Sequence, residues 1–193
     1  MSHWVSENKG GDFERVPCGM KHAVAVKIYD LGYQPGFKSG KPTHKYVILW
    51  ELEDRFTKGD MVGQRFRVTK TYTASFGSAN MPSNLRKDLE SWRSRGFTTD
   101  ELAKFDLDKI IGVNCTLNLV EKAKEDGRKY ANIAGVMPPM KNEKIAVETP
   151  GDFVPDWVME LIDNMIPPDA AEQWKETTHI AAGAGVSDKE IPF

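Results

Sequence analysis

Aromatic and basic side chains interleave along several segments of this chain. An aromatic ring can stack on a nucleic-acid base, and each stacked base contributes about 1–3 kcal/mol. Arginine and lysine neutralise phosphates, so the two residue types together can hold the bases and the backbone of a single strand. The candidate binding residues are Tyr33, Phe37, Lys38, Tyr46, Trp50, Arg65, Arg67, Lys70, Tyr72, Lys129 and Tyr130.

Part of this set has a second interpretation. Tyr46 and Trp50 share one face of a segment that is apolar on both faces, so they lie either in a core or on an aromatic outer face. Tyr33 and Phe37 either pack on the body of the protein or stack on bases. The arginines and threonines from Arg65 onward either contact phosphates or form an ordinary solvated strand face. The pattern leaves these alternatives open.

Metal and nucleotide chemistry have little support in the sequence. His3, His22, His44 and His179 are scattered, with no pair at ligand spacing, and no Gly-x-x-x-x-Gly-Lys loop is present. The run from Glu121 to Lys124 has residue types found in magnesium nucleases, but it lacks an upstream aspartate on a matching strand. We interpret it as a solvated hairpin turn. We therefore expect a protein that is not an enzyme and needs no cofactor or metal.

The last residues of the sequence have the composition of a recognition peptide. Acidic residues precede an isoleucine, a proline that keeps the isoleucine extended, and a phenylalanine carrying a carboxylate. A partner could bury the phenylalanine ring for about 1.5–3 kcal/mol and hold the carboxylate with a basic group. A frayed apolar end is the alternative. The expected partner-binding residues are Asp188, Glu190, Ile191, Pro192 and Phe193.

Charge is unevenly distributed along the chain. Residues 142–193 hold three basic and eleven acidic residues, a net charge of −8, whereas residues 1–141 carry +6. A basic body with an acidic tail is typical of nucleic-acid binders whose tail stays off the phosphates, although a solvated charge distribution can look the same. Cys18 and Cys115 fit no metal or redox spacing, and there is no apolar run of 18 residues. We therefore expect a cytoplasmic protein with no membrane contact.

The periodicity of apolar residues predicts where these side chains are held. Three strand-like segments come first, of which the second is apolar on both faces; two helical stretches follow, and an Asp126-Gly127 turn joins two further strands. Ser83 is a predicted helix cap, and Thr98 with Glu101 forms a predicted capping box. The predicted strands cover 21–29, 45–52, 65–73, 114–120 and 128–136, and the predicted helices cover 83–96, 98–104 and 155–165.

This order of elements is that of an OB-fold, a five-stranded barrel that binds oligonucleotides over its second and third strands. The predicted fold is mainly β: a five-stranded OB-fold barrel with a helical insert between strands 3 and 4, plus a C-terminal helix and a flexible acidic tail. The expected divisions are an N-terminal arm (1–20), an OB-fold domain (21–141), a linker with an amphipathic helix (142–166) and an acidic tail (167–193).

Two runs resemble the bacteriophage single-stranded DNA-binding proteins of OB-fold type: SNLRKDLESWRSRGFTTDELAKFDLDKIIGVNCTLNLV and GRKYANIAGVMP. They cover roughly Ser83 to Pro138. In that family a helical run precedes a Gly-x-x-Cys-x-Leu strand and a Tyr-Ala-Asn-Ile strand, here Gly112–Leu117 and Tyr130–Ile133. Separately, the Ile-Pro-Phe ending is similar to the tip of bacterial single-stranded DNA-binding proteins, which recruits replication and repair enzymes. Lys189 departs from the acidity of that tip.

The resemblance implies a protein that coats and protects single-stranded DNA, with little sequence preference, during phage DNA replication and recombination in a bacterial host. Its expected partners are single-stranded DNA and, through the tail, a polymerase, helicase, nuclease or annealing protein. A homo-oligomer is left open. A protein-binding OB-fold adaptor and a metal-dependent nuclease are the alternatives.

Overall fold

The structure is a computed structural model of the chain, and it describes residues 14–36 and 41–174. The described chain is mainly β, with one five-stranded antiparallel sheet in the order β3-β2-β1-β4-β5. The strands are β1 (Gly19–Gln34), β2 (Thr43–Arg55), β3 (Arg65–Thr73), β4 (Asn114–Ala123) and β5 (Lys129–Met137). Helices α1 (Asn84–Trp92) and α2 (Thr99–Ala103) lie between β3 and β4, and α3 (Asp156–Asp163) follows β5. Short 3-10 turns cover Gly59–Met61 and Leu107–Ile110.

The described residues form two compact units. The first unit contains residues 14–27, Leu49–Lys70 and Asp88–Thr149. The second contains residues 28–36, 41–48, 71–87 and 150–174.

The core of the first unit comes from the apolar faces of its strands. Cys115, Leu117 and Leu119 of β4 are buried, as their alternation predicts, and so are Phe66 and Val68 of β3. The two strands of the terminal hairpin pair antiparallel, with a register shift beside Asn118 and Leu119. Burial of these side chains fixes which way each strand faces, because a slip of one residue would turn the whole apolar set outward.

Helix caps in the first unit follow local chemistry. The predicted capping box of α2 is confirmed: the Thr98 hydroxyl accepts from Glu101 N, and the Glu101 side chain accepts from Thr98 N. Helix α1 ends at Trp92 rather than at Gly96, because Ser94 adopts the left-handed conformation with φ of 52°. Arg95 N then donates to Glu90 O, which completes a Schellman ending with serine in place of the usual glycine.

Strand β1 is longer than predicted, and its end lies in the second unit. The predicted strand ended at residue 29, but Gly32, Tyr33 and Gln34 continue it. Two hydrogen bonds join this end of β1 to residues 161–166: the Gln34 side-chain amide donates to Leu161 O, and Ile166 N donates to Tyr33 O. Gly32 has φ of +59°, and a Cβ there would lie 2.5 Å from Met165 Sδ, so this strand position favours glycine.

Candidate nucleic-acid interface

A groove of about 520 Å³ lies in the first unit, between residues of the two edge strands. Strand β3 contributes Arg67, Val68 and Thr69, and β5 contributes the run from Lys129 to Asn132. Glu121 of β4 completes the lining, together with Glu14, Arg15, Val16 and Cys18. We call this the edge groove. Three of the residues predicted to bind DNA meet here: Arg67 and, about sixty positions later in sequence, the neighbours Lys129 and Tyr130.

Cations outnumber carboxylates in the edge groove. Its lining includes three cationic residues, Arg15, Arg67 and Lys129, and two carboxylates, Glu14 and Glu121. Lys129 Nζ lies 2.7 Å from Glu121 Oε1, and this hydrogen bond, with the charge of Arg15, lowers the pKa of Glu121. Glu121 therefore stays charged at neutral pH, and three cations against two carboxylates leave a small positive excess.

Glu14 accepts hydrogen bonds from Thr57 and Lys58 of the first unit. Its carboxylate accepts from Thr57 N at 2.6 Å, from the Thr57 hydroxyl at 2.9 Å and from Lys58 N at 3.0 Å. The backbone hydrogen bond from Thr57 is the main cause of the lowered pKa of Glu14. These bonds fix residue 14 and place the following residues, including Arg15 and Cys18, along the groove.

Tyr130 gives the edge groove an exposed aromatic surface. Its side chain is 43% exposed, and Thr69 and Asn132 beside it are half-buried polar residues. A tyrosine ring can stack on any base, because every base has a π-face. The groove thus offers stacking, hydrogen-bonding and charged groups within one surface.

Arg65 and Lys70 are engaged with carboxylates of the first unit. Arg65 Nη1 donates to Glu51 Oε1 at 2.9 Å, and its Nη2 lies 3.0 Å from Glu148 Oε1. Lys70 Nζ donates to Asp88 Oδ2 at 2.6 Å. Both residues were predicted to contact phosphates, and in the structure they hold protein segments together.

Trp50 and Tyr72 are core residues in this structure. Their exposed fractions are 1% and 3%. Of the two interpretations that the pattern left open for Trp50, burial in the core is the one observed. Neither ring presents a face to a base, so neither belongs to the edge groove.

Tyr33 and Tyr46 form a separate cluster in the second unit, around His44. The His44 ring centroid lies 5.3 Å from that of Tyr33 and 5.1 Å from that of Tyr46. His44 Nε2 is 2.6 Å from Asp30 Oδ1. Burial, with the charge of Asp30, raises the pKa of Tyr46. This cluster joins two predicted residues with a histidine that the sequence pattern did not single out.

The remaining predicted residues, Phe37, Lys38 and the tip residues Asp188, Glu190, Ile191, Pro192 and Phe193, lie outside the described residues. Arg15 and Cys18 are the groove residues that sequence reasoning missed, because residues 1–20 showed no period and were interpreted as an arm. The signal that was available is Arg15 itself, a cation in the segment directly before β1.

No cluster of three or more His, Cys, Asp or Glu side chains suited to a metal ion occurs among the described residues. Within the same residues, every helix is too short or too polar to cross a membrane. A comparison of the chain with known protein families found no match, and a comparison with curated proteins found none either.

Proposed function

We propose that this chain is a non-enzymatic single-stranded DNA-binding protein that uses the edge groove as its contact surface. The observation that carries the proposal is the meeting of Arg67, Lys129 and Tyr130 in one groove beside Arg15. Cations next to an exposed ring are the combination that sequence-tolerant single-strand binding requires. A single strand has unpaired bases that can stack on Tyr130, whereas a duplex keeps its bases stacked on each other.

The strand order supports an OB-fold. In that fold β1 pairs with both β2 and β4, as it does in the order β3-β2-β1-β4-β5, and helical structure lies between β3 and β4. We propose that the sheet is an OB-fold barrel sheet opened between β3 and β5. The edge groove lies along this opening and includes β3, one of the two strands over which OB-folds bind oligonucleotides.

The biological role is proposed from the sequence. We propose that the protein coats single strands during phage replication or recombination, because the run from Ser83 to Pro138 resembles phage proteins of that kind. Recruitment of partner enzymes by residues 188–193 stays a prediction. Neither role requires sequence-specific base contacts, which agrees with a groove built on backbone charge and stacking.

The two cysteines of the chain provide a test that needs no mutation. Cys18 is exposed and lines the edge groove, whereas Cys115 is buried and its burial raises the pKa of the thiol. An alkylating reagent should therefore modify Cys18 first, since the thiolate is the reactive form.

A saturating oligo-dT strand should slow alkylation of Cys18, and a duplex at the same concentration should slow it much less. The site of modification is read by mass spectrometry of peptides. An alkylation rate at Cys18 that does not change when oligo-dT is bound would place the contact surface elsewhere. A Tyr130→Ala variant is the matched control, because it should weaken protection without removing the thiol.

A further inference from the structure

A second and larger cleft lies in the first unit, away from the residues of the edge groove. Its volume is about 820 Å³, and its walls come from the end of α1, the segment around α2, the residues at the start of β4, and Pro139, Lys141, Asn142 and Lys144. We call it the basic cleft. Its lining contains one carboxylate, Glu101, and six cationic side chains: Arg93, Arg95, Lys104, Lys109, Lys141 and Lys144.

Three of the six cations are held by protein carboxylates. Arg93 Nη2 lies 2.5 Å and Arg95 Nη2 2.9 Å from Glu101 Oε1, and Lys141 pairs with Glu53. The Arg93 guanidinium also stacks on Phe97, with its central carbon 4.5 Å from the ring centroid. These contacts fix the shape of the cleft and satisfy part of its charge.

The other three cations are not paired with a carboxylate of the described part of the chain. Lys104, Lys109 and Lys144 are exposed and make no ion pair with any described residue. Buried Trp92 and Ile110 supply an apolar part of the wall. Low-dielectric walls concentrate the field of nearby charges, so an anionic chain should be attracted into this cleft.

We propose that the basic cleft is a second binding site for the phosphodiester backbone of the same DNA strand; this inference rests on the proposed function. A backbone fits better than a single small anion, because three separate ammonium groups carry charge without a fixed fork geometry. The site reads no sequence, since phosphate contacts position a strand and do not specify it. Its effect is to lengthen the segment of DNA that one chain covers.

The expected effect follows from counterion release. For single strands the log–log slope of affinity against salt is near −0.7 per phosphate neutralised, so each lysine is expected to contribute about fivefold in affinity at 0.1 M salt. Loss of all three contacts should lower the affinity for a long strand about 100-fold and reduce the salt slope by about 2.

The test compares the full chain with a Lys104→Ala, Lys109→Ala, Lys144→Ala variant and with a control that carries Lys58→Ala, Lys87→Ala and Lys124→Ala. The control lysines are exposed and line neither groove. Fluorescence anisotropy of labelled oligo-dT is measured at several salt concentrations, with strands of roughly 8 and 30 nucleotides, which bracket the site sizes of single OB-folds.

We expect the cleft variant to bind the long strand less tightly than the control does, with a shallower salt dependence. Its affinity for the short strand should stay close to that of the control. A cleft variant that behaves like the control on the long strand overturns the inference and leaves the proposed function standing. A wild-type chain that binds neither strand overturns the proposed function, and the inference with it. Loss of binding to an acidic peptide, with DNA binding intact, would assign the cleft to a protein partner and overturn the inference.

Discussion

Replacing Arg65 with alanine should destabilise the fold, whereas replacing Arg67 with alanine should weaken DNA binding. The two arginines are two positions apart on β3, so they start from the same strand face. Their surroundings differ. Arg65 faces Glu51, which is 1% exposed, and Arg67 lines the edge groove and makes a long 3.4 Å contact to Gln64.

The loss of stability in Arg65→Ala depends on which hydrogen bonds Glu51 still accepts. Removing one partner of a buried ion pair costs about 3–5 kcal/mol, because the other charge is left without compensation. Glu51 would still accept from the backbone N–H groups of Glu148 and Thr149 and from the Thr149 hydroxyl at 2.6 Å. We therefore expect the lower end of the range, about 3 kcal/mol of unfolding free energy.

Arg67→Ala should cost less stability than Arg65→Ala, because Arg65 pairs with a buried carboxylate and Arg67 lines the edge groove. It should cost about fivefold in oligo-dT affinity at 0.1 M salt. Urea unfolding followed by circular dichroism gives the first quantity, and anisotropy of labelled oligo-dT under folding conditions gives the second. The reasoning is refuted if Arg65→Ala is as stable as wild type and loses DNA affinity to the same extent as Arg67→Ala.

Three further predictions concern the Tyr130 ring, the pH dependence of stability and residues 191–193. Tyr130→Ala should lower oligo-dT affinity by the equivalent of about 1–3 kcal/mol, the worth of one stacked base, while Tyr130→Phe should keep most of it; equal losses in titrations of the two variants would exclude stacking. Arg55 holds the pKa of Glu148 below its unfolded value, so the stability from this pair is present above about pH 4.3 and is lost as pH falls through the folded pKa. Urea midpoints of wild type and Glu148→Gln should therefore differ at pH 7 and converge once the pH has fallen below the folded pKa of Glu148, and a difference that persists below that pKa would contradict this. Deleting residues 191–193 should leave oligo-dT affinity equal or slightly higher and abolish capture of partner enzymes; a large loss of DNA affinity would show that these residues help to bind the strand.

Local chemistry made much of the fold predictable. Strand β3 begins and ends where its alternation predicts, and the capping box at Thr98 and Glu101 forms as expected, because both depend on neighbours within a few residues. The end of α1 was misplaced, since Ser94 adopts a backbone conformation that glycine usually takes. The extension of β1 through Gln34 was missed, because its end pairs with a segment far along the chain, where Ile166 N donates to Tyr33 O.

The candidate site was predictable only in part, because contacts between residues distant in sequence determine which side chains are exposed. Arg65 and Arg67 look equivalent in the sequence, and the difference between them comes from Glu51 and from Glu148 more than 80 positions away. Trp50 sits on a strand with two apolar faces, so its burial depends on which segments cover each face. Residue types therefore indicated the kind of chemistry, while contacts distant in sequence decided which residues are available for it.

The decisive measurement is binding of fluorescein-labelled oligo-dT, compared with a duplex of equal length over a range of salt concentrations. We expect the single strand to bind more tightly than the duplex. We also expect the affinity to fall with salt at a log–log slope of about −0.7 for each phosphate contacted, and the slope to become shallower in an Arg67→Ala, Lys129→Ala variant. Absence of binding to either DNA at low salt would contradict single-strand binding by the edge groove, as would binding that does not respond to salt or to those two substitutions.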